Sequence, residues 1–426
     1  MTRRSAARHR RRGHRPWERV RVVAHRIAWA LLVGACQGPD LSSAGESSDS
    51  TTGSSGGSSS AAAPPADLGA EMDDTAATSS TTGGDDPFGD DPPDGEPLPP
   101  APPGVWQWVD IDRAICRDGS QARIAVRYGT TNELLVYFAP GGACFNGGTC
   151  LLSPPNLDDA PLYQGGIFAD RPDNPVRDWN VVLVPYCTGD IHVGARDDGV
   201  SFANGADRFV GWIDNGLYLS RIHPTFADVD RLLVAGSSAG GFGGGSNFER
   251  YVRRFAPPAA IMIDDSGPPM SDDYLPPCLQ AHWREIWGIS DTFLASCGDA
   301  CSGQRDGGGI IHVVEHLSTA LPNTTMGFIS HLEDETMRLF YGYGLDECSS
   351  LYSLAPLAYP AEQYAEGLFD LRDFYATSPQ WGTYYLDGSS HTTLLGDGFY
   401  TADVGGVSPR EWFVAMLDGE PSHVAP

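Results

Sequence analysis

The stretch LLVAGSSAGG at residues 232–241 decides the fold, because an apolar run leads directly into a turn of small residues. Within it, residues 236–240 match the pattern G-x-S-x-G, with Ser238 at its centre. In a nucleophile elbow, a serine lies on a sharp turn between a strand and a helix, and small flanking residues let the backbones approach closely. The stretch therefore predicts Ser238 as a catalytic nucleophile after a buried strand, with Ser237 as the competing hydroxyl.

Short apolar runs recur along the chain and predict further buried strands. They lie at residues 122–128, 134–139, 181–185, 232–235, 259–263 and 326–330. Helix-like stretches at 240–255 and 310–321 lie between some of these runs. Strands that alternate with helices form a mainly parallel sheet with helices on both faces. We therefore predict one α/β domain over residues 105–426.

A glycine-rich segment, PGGACFNGG at 140–148, follows the predicted strand at 134–139. Acyl transfer places negative charge on the carbonyl oxygen, and preorganised N–H donors stabilise it by about 3–4 kcal/mol each. Where a nucleophile elbow is present, such donors come from a loop after an early strand and from the residue after the nucleophile. We therefore predict the N–H groups of Gly142, Ala143 and Ala239 as the oxyanion hole.

The partners of an elbow serine follow it in the order acid, then histidine. Asp334 comes just after the predicted strand at 326–330, where an acid that orients the imidazole is expected. His391 lies late in the chain, in the small polar loop DGSSHT at 387–392. We predict Asp334 and His391 as the acid and the base.

Other acids and histidines downstream of the nucleophile leave alternatives open. The acids are Glu333, Glu335 and Asp346, and also Asp264 and Asp265, which end a strand that comes early for this role. The histidines, which are better explained as surface or core residues, are His282, His312, His316, His331 and His423.

The string HVVEH at 312–316 matches a zinc-peptidase pattern, H-x-x-E-H. On a helix its two histidines would share one face, as a zinc ion requires. No distinct third ligand follows in the sequence, so we interpret the string as an amphipathic surface helix. We predict neither a metal nor a cofactor.

Four motifs occur in one order: GGAC at 141–144, PYCTGD at 185–190, GSSAGG at 236–241 and SSH at 389–391. Together they resemble the pectin acetylesterase/Notum family of α/β-hydrolases, over residues 105–420. This resemblance implies an α/β-hydrolase fold and carboxylester hydrolysis by a triad of Ser238, Asp334 and His391. Plant members of the family remove acetyl groups from pectin, and the animal member removes a lipid acyl group from a secreted signalling protein.

The sequence departs from the family pattern at two positions. The family usually has tryptophan after the paired glycines, and this chain has Ala143, which leaves the acyl-chain preference open. The string CTGDIH at 187–192 looks like a variant of the family's equivalent loop and is expected to line the cleft. A direct catalytic part for Asp190 or His192 is the less favoured alternative.

The N-terminal part of the chain predicts export. Residues 1–36 combine ten Arg with a short apolar run that ends in VGAC, which is typical of a lipoprotein signal with Cys36 as the lipid-modified residue. Residues 37–104 are rich in Ser, Gly, Thr, Pro and Asp, so we predict a disordered tether. We therefore expect a secreted or envelope-anchored protein that meets a membrane only through its lipid.

Charge and cysteine content agree with that location. The formal net charge of −27 argues against a nucleic-acid partner, because phosphates are bound by basic patches. Eight cysteines remain besides Cys36, and an even number in an exported protein predicts disulfides. Their pairing stays open.

These residues predict a serine carboxylesterase for acetyl or other short-chain esters, with acetylated polysaccharide as a candidate substrate. A lipase or polyester depolymerase with the same triad is the first alternative. The second is a non-catalytic, surface-binding lipoprotein built on a hydrolase fold. The ester itself, the chain-length preference and the oligomeric state stay open.

Overall fold

The computed structural model describes residue 88 and residues 91–426, except 159, 201, 203–206, 299–300 and 302–306. The predicted signal segment 1–36, with the lipidation site Cys36, and most of the predicted tether lie outside these described residues. In the described part of the chain, no helix has both the length and the hydrophobicity needed to cross a membrane.

A mainly parallel sheet lies at the centre of the described domain. The strands are β1 (Trp106–Ile115), β2 (Gln121–Arg127), β3 (Glu133–Phe138), β4 (Asn180–Val184), β5 (Arg196–Val200), β6 (Asp207–Phe209), β7 (Arg231–Ser237), β8 (Ala259–Asp265), β9 (Thr325–His331), β10 (Trp381–Leu386) and β11 (His423–Val424). The large sheet has the order β1-β2-β4-β3-β7-β8-β9-β10-β11. The β1–β2 and β2–β4 pairs are antiparallel, and the pairs from β4 to β11 are parallel. The predicted α/β sheet is confirmed.

The central strands are recognisable in the sequence because both faces of a parallel sheet are covered. Nearly every residue of β3, β4, β7 and β8 is buried, so these strands appear as continuous apolar runs. The six predicted strands correspond to β2, β3, β4, β7, β8 and β9, with ends shifted by at most two residues.

Helices surround the sheet and connect its strands. Within the described residues they are α1 (Gly211–Thr225), α2 (Ala239–Phe255), α3 (Pro277–Trp287), α4 (Phe293–Cys297), α5 (Val313–Ala320), α6 (Glu335–Tyr341), α7 (Ala361–Tyr375), α8 (Gly398–Thr401) and α9 (Pro409–Leu417), besides a distorted turn at Leu345–Cys348. The predicted helix at 240–255 is α2, and the one at 310–321 is a 3₁₀ turn (Ile310–His312) followed by α5. Among these helices, α2 packs on β3, β7 and β8 and so starts at the centre of the sheet.

The folded domain begins before residue 105, where we expected the tether to end. Asp91 forms an ion pair with Arg250 of α2, and the Arg250 side chain is buried. Leu98 is buried as well. Because a buried guanidinium needs a charged partner, residues 91–104 are held against the domain, which corrects the predicted boundary.

Four disulfides join the eight cysteines that the sequence assigned to such bonds. The pairs are Cys116–Cys187, Cys144–Cys150, Cys278–Cys348 and Cys297–Cys301. The second pair closes the glycine-rich loop after β3, and the first ties the end of β1 to the loop after β4. Two loops near the centre of the sheet are therefore covalently fixed.

Candidate active site

Ser238 lies on the sharp turn between β7 and α2. Its backbone has φ 58° and ψ −122°, an unusual conformation for a residue with a side chain. Such a conformation costs about 1–3 kcal/mol and is found mostly at functional sites. A Cβ at Gly236 would collide with the carbonyl of Gly240, and a Cβ at Gly240 would collide with the carbonyl of Phe138. Both glycines are therefore required by the close packing of strand, turn and helix.

The predicted oxyanion donors meet at one cavity with the nucleophile, because Gly142, Ala143, Ser238 and Ala239 all line it. Gly142 has φ 80°, a conformation that favours glycine. Within the described residues, the N–H groups of Gly142, Ala143 and Ala239 donate to no protein acceptor. Ala239 is also the first residue of α2, where the helix dipole favours negative charge. These N–H groups are available to an oxyanion.

A buried histidine supports the oxyanion loop from behind. His192 Nε2 bonds to the carbonyl oxygen of Ala139 at 2.9 Å, just before the paired glycines. Burial lowers the pKa of His192 to about 4, so the ring is neutral at ordinary pH and Nε2 donates. Asp190 is also buried and accepts bonds from N–H groups of its own loop and of Gly211. Their hydrogen bonds link the loop at 187–192 to its surroundings, and neither residue is among those that line the cavity beside Ser238.

Asp334 and His391 lie in direct contact, joined by a bond of 2.8 Å between His391 Nδ1 and Asp334 Oδ2. Asp334 is fully buried and caps α6, and its Oδ1 accepts from the N–H groups of Thr336 and Met337 at 3.0 and 2.9 Å. Because the helix end fixes one oxygen, the other is held for the imidazole.

The second ring nitrogen of His391 is available. Nδ1 donates to a carboxylate oxygen, so Nε2 is the acceptor of the neutral ring. Nε2 is buried and has no hydrogen-bond partner among the described residues. A histidine with this arrangement can accept a proton from a hydroxyl that is brought to Nε2.

Asp265, at the end of β8, connects the nucleophile to the histidine loop. Its carbonyl oxygen accepts from the N–H of Ser238 at 2.7 Å. Its carboxylate accepts from the N–H groups of Thr393 and Leu394, both at 2.9 Å. These two residues lie just after His391 in the chain. One buried residue therefore binds both the elbow and the loop that carries the base.

A chain of hydroxyl groups extends this connection into the sheet. Tyr137 donates to the Ser237 hydroxyl at 2.7 Å, and Ser237 donates to the Asp265 carboxylate at 2.7 Å. Burial raises the pKa of Asp265, and the bonds it accepts act in the opposite direction. The hydroxyl of Ser237, the competing nucleophile in the sequence, thus donates its hydrogen bond to Asp265. Sequence reasoning weighed Asp265 only as a triad acid and missed this supporting role.

A small cavity lies beside Ser238. Apart from the elbow and the oxyanion loop, its walls are large and mostly apolar side chains: Ile191, Phe242, Trp283, Trp287, Met337, Phe340 and Tyr341. Such a cavity suits an apolar group attached to the reacting carbonyl.

The histidines of the zinc-like pattern have separate partners. His312 pairs with Glu315 at 2.8 Å, and His316 pairs with Glu249 at 2.6 Å. Among the residues that the structure describes, no group of three potential ligands is placed to hold a metal ion. The two histidines of the pattern therefore contact different carboxylates and do not share one site.

No family model matches the chain. Over 164 residues, 33% of this chain, it is 30% identical to palmitoleoyl-protein carboxylesterase Notum of Schmidtea mediterranea, and the match spans 28% of that protein's length. Two crystal forms of the Wnt deacylase Notum from Drosophila match the fold with TM-scores of 0.57 and 0.55 at 19% identity. Both alignments cover 74% of this chain. They cover 94% of the Notum chain in the first crystal form and 93% in the second. These matches confirm the resemblance to Notum and the α/β-hydrolase fold.

Proposed function

We propose that this Notum-like chain is a serine carboxylesterase in which Ser238, His391 and Asp334 form the catalytic triad. The observation that carries the proposal is the state of His391. Buried Asp334 holds its Nδ1, its Nε2 has no partner among the described residues, and its loop is bonded through Asp265 to the elbow of Ser238. The two named relatives are a carboxylesterase and a deacylase, which supports the same reaction class.

The proposed reaction has two acyl-transfer steps. His391 Nε2 takes the proton of the Ser238 hydroxyl as its oxygen attacks the ester carbonyl, and Asp334 stabilises the imidazolium. The N–H groups of Gly142, Ala143 and Ala239 bind the oxyanion. The imidazolium then protonates the leaving alcohol, and water releases the acid from the acyl-enzyme by the same sequence. No cofactor takes part in this scheme.

We infer that the acyl group occupies the apolar cavity beside Ser238. Ala143, where the family usually has tryptophan, leaves its small methyl group at this wall. The small size of this cavity favours acetyl and other short acyl groups. Acetylated polysaccharide is therefore our first candidate substrate, with the sugar as the leaving alcohol.

A second candidate, a lipase or polyester depolymerase, is favoured by exposed apolar side chains near the oxyanion loop. Leu151, Tyr352 and Leu354 are 75%, 79% and 87% exposed. Leu151 directly follows the disulfide that closes this loop, and the Leu354 carbonyl lies beside Gly148 of the same loop. Exposed apolar patches of this kind often contact other molecules, so an insoluble ester substrate is a reasonable alternative.

We further propose that the protein is exported. Its four disulfides support an oxidising compartment, because such bonds rarely persist in a reducing cytosol. Attachment through a lipid on Cys36 stays a prediction from the sequence. Labelling with a radioactive fatty acid would test it, with Cys36→Ser as the control that should lose the label.

The proposal is tested by Ser238→Ala and Ser237→Ala, assayed on p-nitrophenyl acetate, butyrate and octanoate and on acetylated polysaccharide. Ser238→Ala should lower kcat by about 10⁴–10⁶-fold. Ser237→Ala should retain far more activity, since it removes a supporting hydroxyl. A serine-reactive phosphonate should inactivate the wild type, and a chelator should not. Turnover that survives Ser238→Ala would refute the triad, and a wild type that cleaves no ester would favour the non-catalytic binder.

A further inference from the structure

A second cavity lies against the cavity of the nucleophile. Its walls and those of the first cavity both include Ile191, Phe242 and Trp283. Most of its other walls are apolar side chains from α2, β8, α4 and α5 and from the turn before α5, among them Met262, Phe293, Ile310, Val314 and Leu317. A group that extends beyond the first cavity could reach this space past the three shared side chains.

Two polar groups in these walls lack suitable partners. Trp283 is 3% exposed, and its indole N–H donates to no acceptor among the described residues. The Asp264 carboxylate is buried and accepts one bond, from the N–H of Gly267 at 2.8 Å. No cation is paired with it in the described part of the chain, and burial raises its pKa well above the usual value. Buried donors and carboxylates normally have partners, so both groups point to a ligand.

We propose that this second cavity is a binding subsite for a hydroxyl group on the acyl chain of the substrate. The inference rests on the proposed esterase function and adds a substrate class to it: esters of hydroxylated fatty or alkanoic acids. The reacting carbonyl lies at Ser238, the apolar part of the acyl chain passes the three shared side chains, and its hydroxyl meets Trp283 and Asp264.

The chemistry of the two groups selects a hydroxyl over other polar groups. A hydroxyl accepts from the indole N–H and donates to a carboxylate, and it can also accept from a protonated carboxyl group. A carbonyl oxygen accepts from the Trp283 N–H and can pair with Asp264 only when that carboxyl group is protonated, whereas a hydroxyl pairs with Asp264 in either protonation state. An ammonium group would satisfy Asp264 but would leave the indole donor unpaired. Ser246 and Tyr375 also line the cavity, and both residue types carry a hydroxyl that is compatible with the same ligand.

The test compares p-nitrophenyl alkanoates from two to twelve carbons with the matching esters that carry a terminal hydroxyl. For the wild type, we expect at least one chain length at which the hydroxylated ester has a kcat/KM about tenfold higher, equivalent to about 1.4 kcal/mol. A purely apolar cavity would give the opposite order, because the hydroxyl loses its hydration without a partner. A ratio at or below one at every length would overturn the proposal.

Variants then assign the preference to its residues. Asp264→Leu and Trp283→Phe should each bring the ratio of hydroxylated to plain ester close to one. Val313→Ala, which changes the same wall without changing its polarity, should keep the ratio well above one. Because the ratio is measured within each variant, a partial loss of folded protein does not affect it. A preference that both polar variants retain would refute the assignment.

The two proposals fail in distinguishable ways. If the wild type cleaves plain alkanoates without any preference for the hydroxylated esters, the subsite is refuted and the esterase stands. If the wild type cleaves neither series, the esterase itself is refuted. The wild-type panel decides both questions before any variant is made.

Discussion

Asp265→Asn tests whether one buried carboxylate holds the nucleophile and the base in register. The carboxylate accepts from the Ser237 hydroxyl at 2.7 Å and from the N–H groups of Thr393 and Leu394 at 2.9 Å. A hydrogen bond to a charged group contributes about 1.5–3 kcal/mol, and a neutral one about 0.5–1.5 kcal/mol. Asparagine keeps the shape and one acceptor oxygen. Three charge-assisted bonds then become at best neutral ones, a loss of about 1 kcal/mol each and about 3 kcal/mol together.

This loss should appear in kcat more than in KM. His391 lies two residues before Thr393, so a looser loop misplaces the base after the substrate has bound. If between half and nearly all of this hydrogen-bond free energy is lost from the stabilisation of the transition state, kcat falls by about 10–100-fold. The assay is the measurement of kcat and KM on p-nitrophenyl acetate for wild type and variant, with thermal unfolding of both proteins alongside.

Asp214→Asn is the matched control, because it removes another buried carboxylate. Asp214 lies in α1 and accepts from the N–H of Ile115 at 3.2 Å and from the Tyr218 hydroxyl at 3.5 Å, away from the elbow and the histidine loop. It should alter the unfolding temperature and leave kcat close to that of the wild type. If Asp265→Asn changes kcat by less than twofold, or by no more than Asp214→Asn does, the Asp265 carboxylate does not hold the nucleophile and the base in position.

Two further changes test the acid and the buried histidine. Asp334→Asn should lower kcat by about 10⁴-fold in a steady-state assay, because an amide can favour the wrong tautomer of His391. The control Glu333→Gln should keep a kcat within a few-fold of the wild type. If the two variants lower kcat equally, Asp334 is not the acid of the triad. His192 has its folded pKa lowered from 6.5 to about 4, so the unfolded chain binds the proton first as the pH falls. The free energy of unfolding should therefore fall by about 1.4 kcal/mol per pH unit as the pH drops from about 6.5 to about 4. Measured by urea unfolding, the free energy of unfolding of His192→Gln should depend less steeply on pH than that of the wild type.

Those features that the sequence predicts well are local. The elbow is a run of ten residues in which an apolar strand, two close-packed glycines and a helix start follow one another, and each step has a residue signature. Buried parallel strands such as β4 and β7 are continuous apolar runs for the same reason. β1 was not predicted, because it is an antiparallel edge strand in which exposed polar residues interrupt the apolar ones.

The start of the folded domain could not be predicted because its cause is far away in the chain. Residues 91–104 have the composition of a tether, with many prolines and few large apolar side chains. Asp91 is nevertheless fixed, because Arg250 on α2 is buried and the carboxylate neutralises it. Composition describes what a segment can bury by itself, and it contains no information about a charge that another segment has already buried.

The role of Asp265 depends on strand order, which no sequence pattern of this chain provides. The strands β7, β8, β9 and β10 are consecutive neighbours in the sheet, and all of them are parallel. Their carboxyl ends therefore meet at one edge, with Ser238 after β7, Asp265 at the end of β8, Asp334 after β9 and His391 after β10. An acid on the strand beside the nucleophile strand is too early to orient the histidine by chain order. In space it lies between the elbow and the loop of the base. Its backbone carbonyl oxygen accepts from the N–H of Ser238, while its carboxylate accepts from the Ser237 hydroxyl and from two N–H groups of the histidine loop.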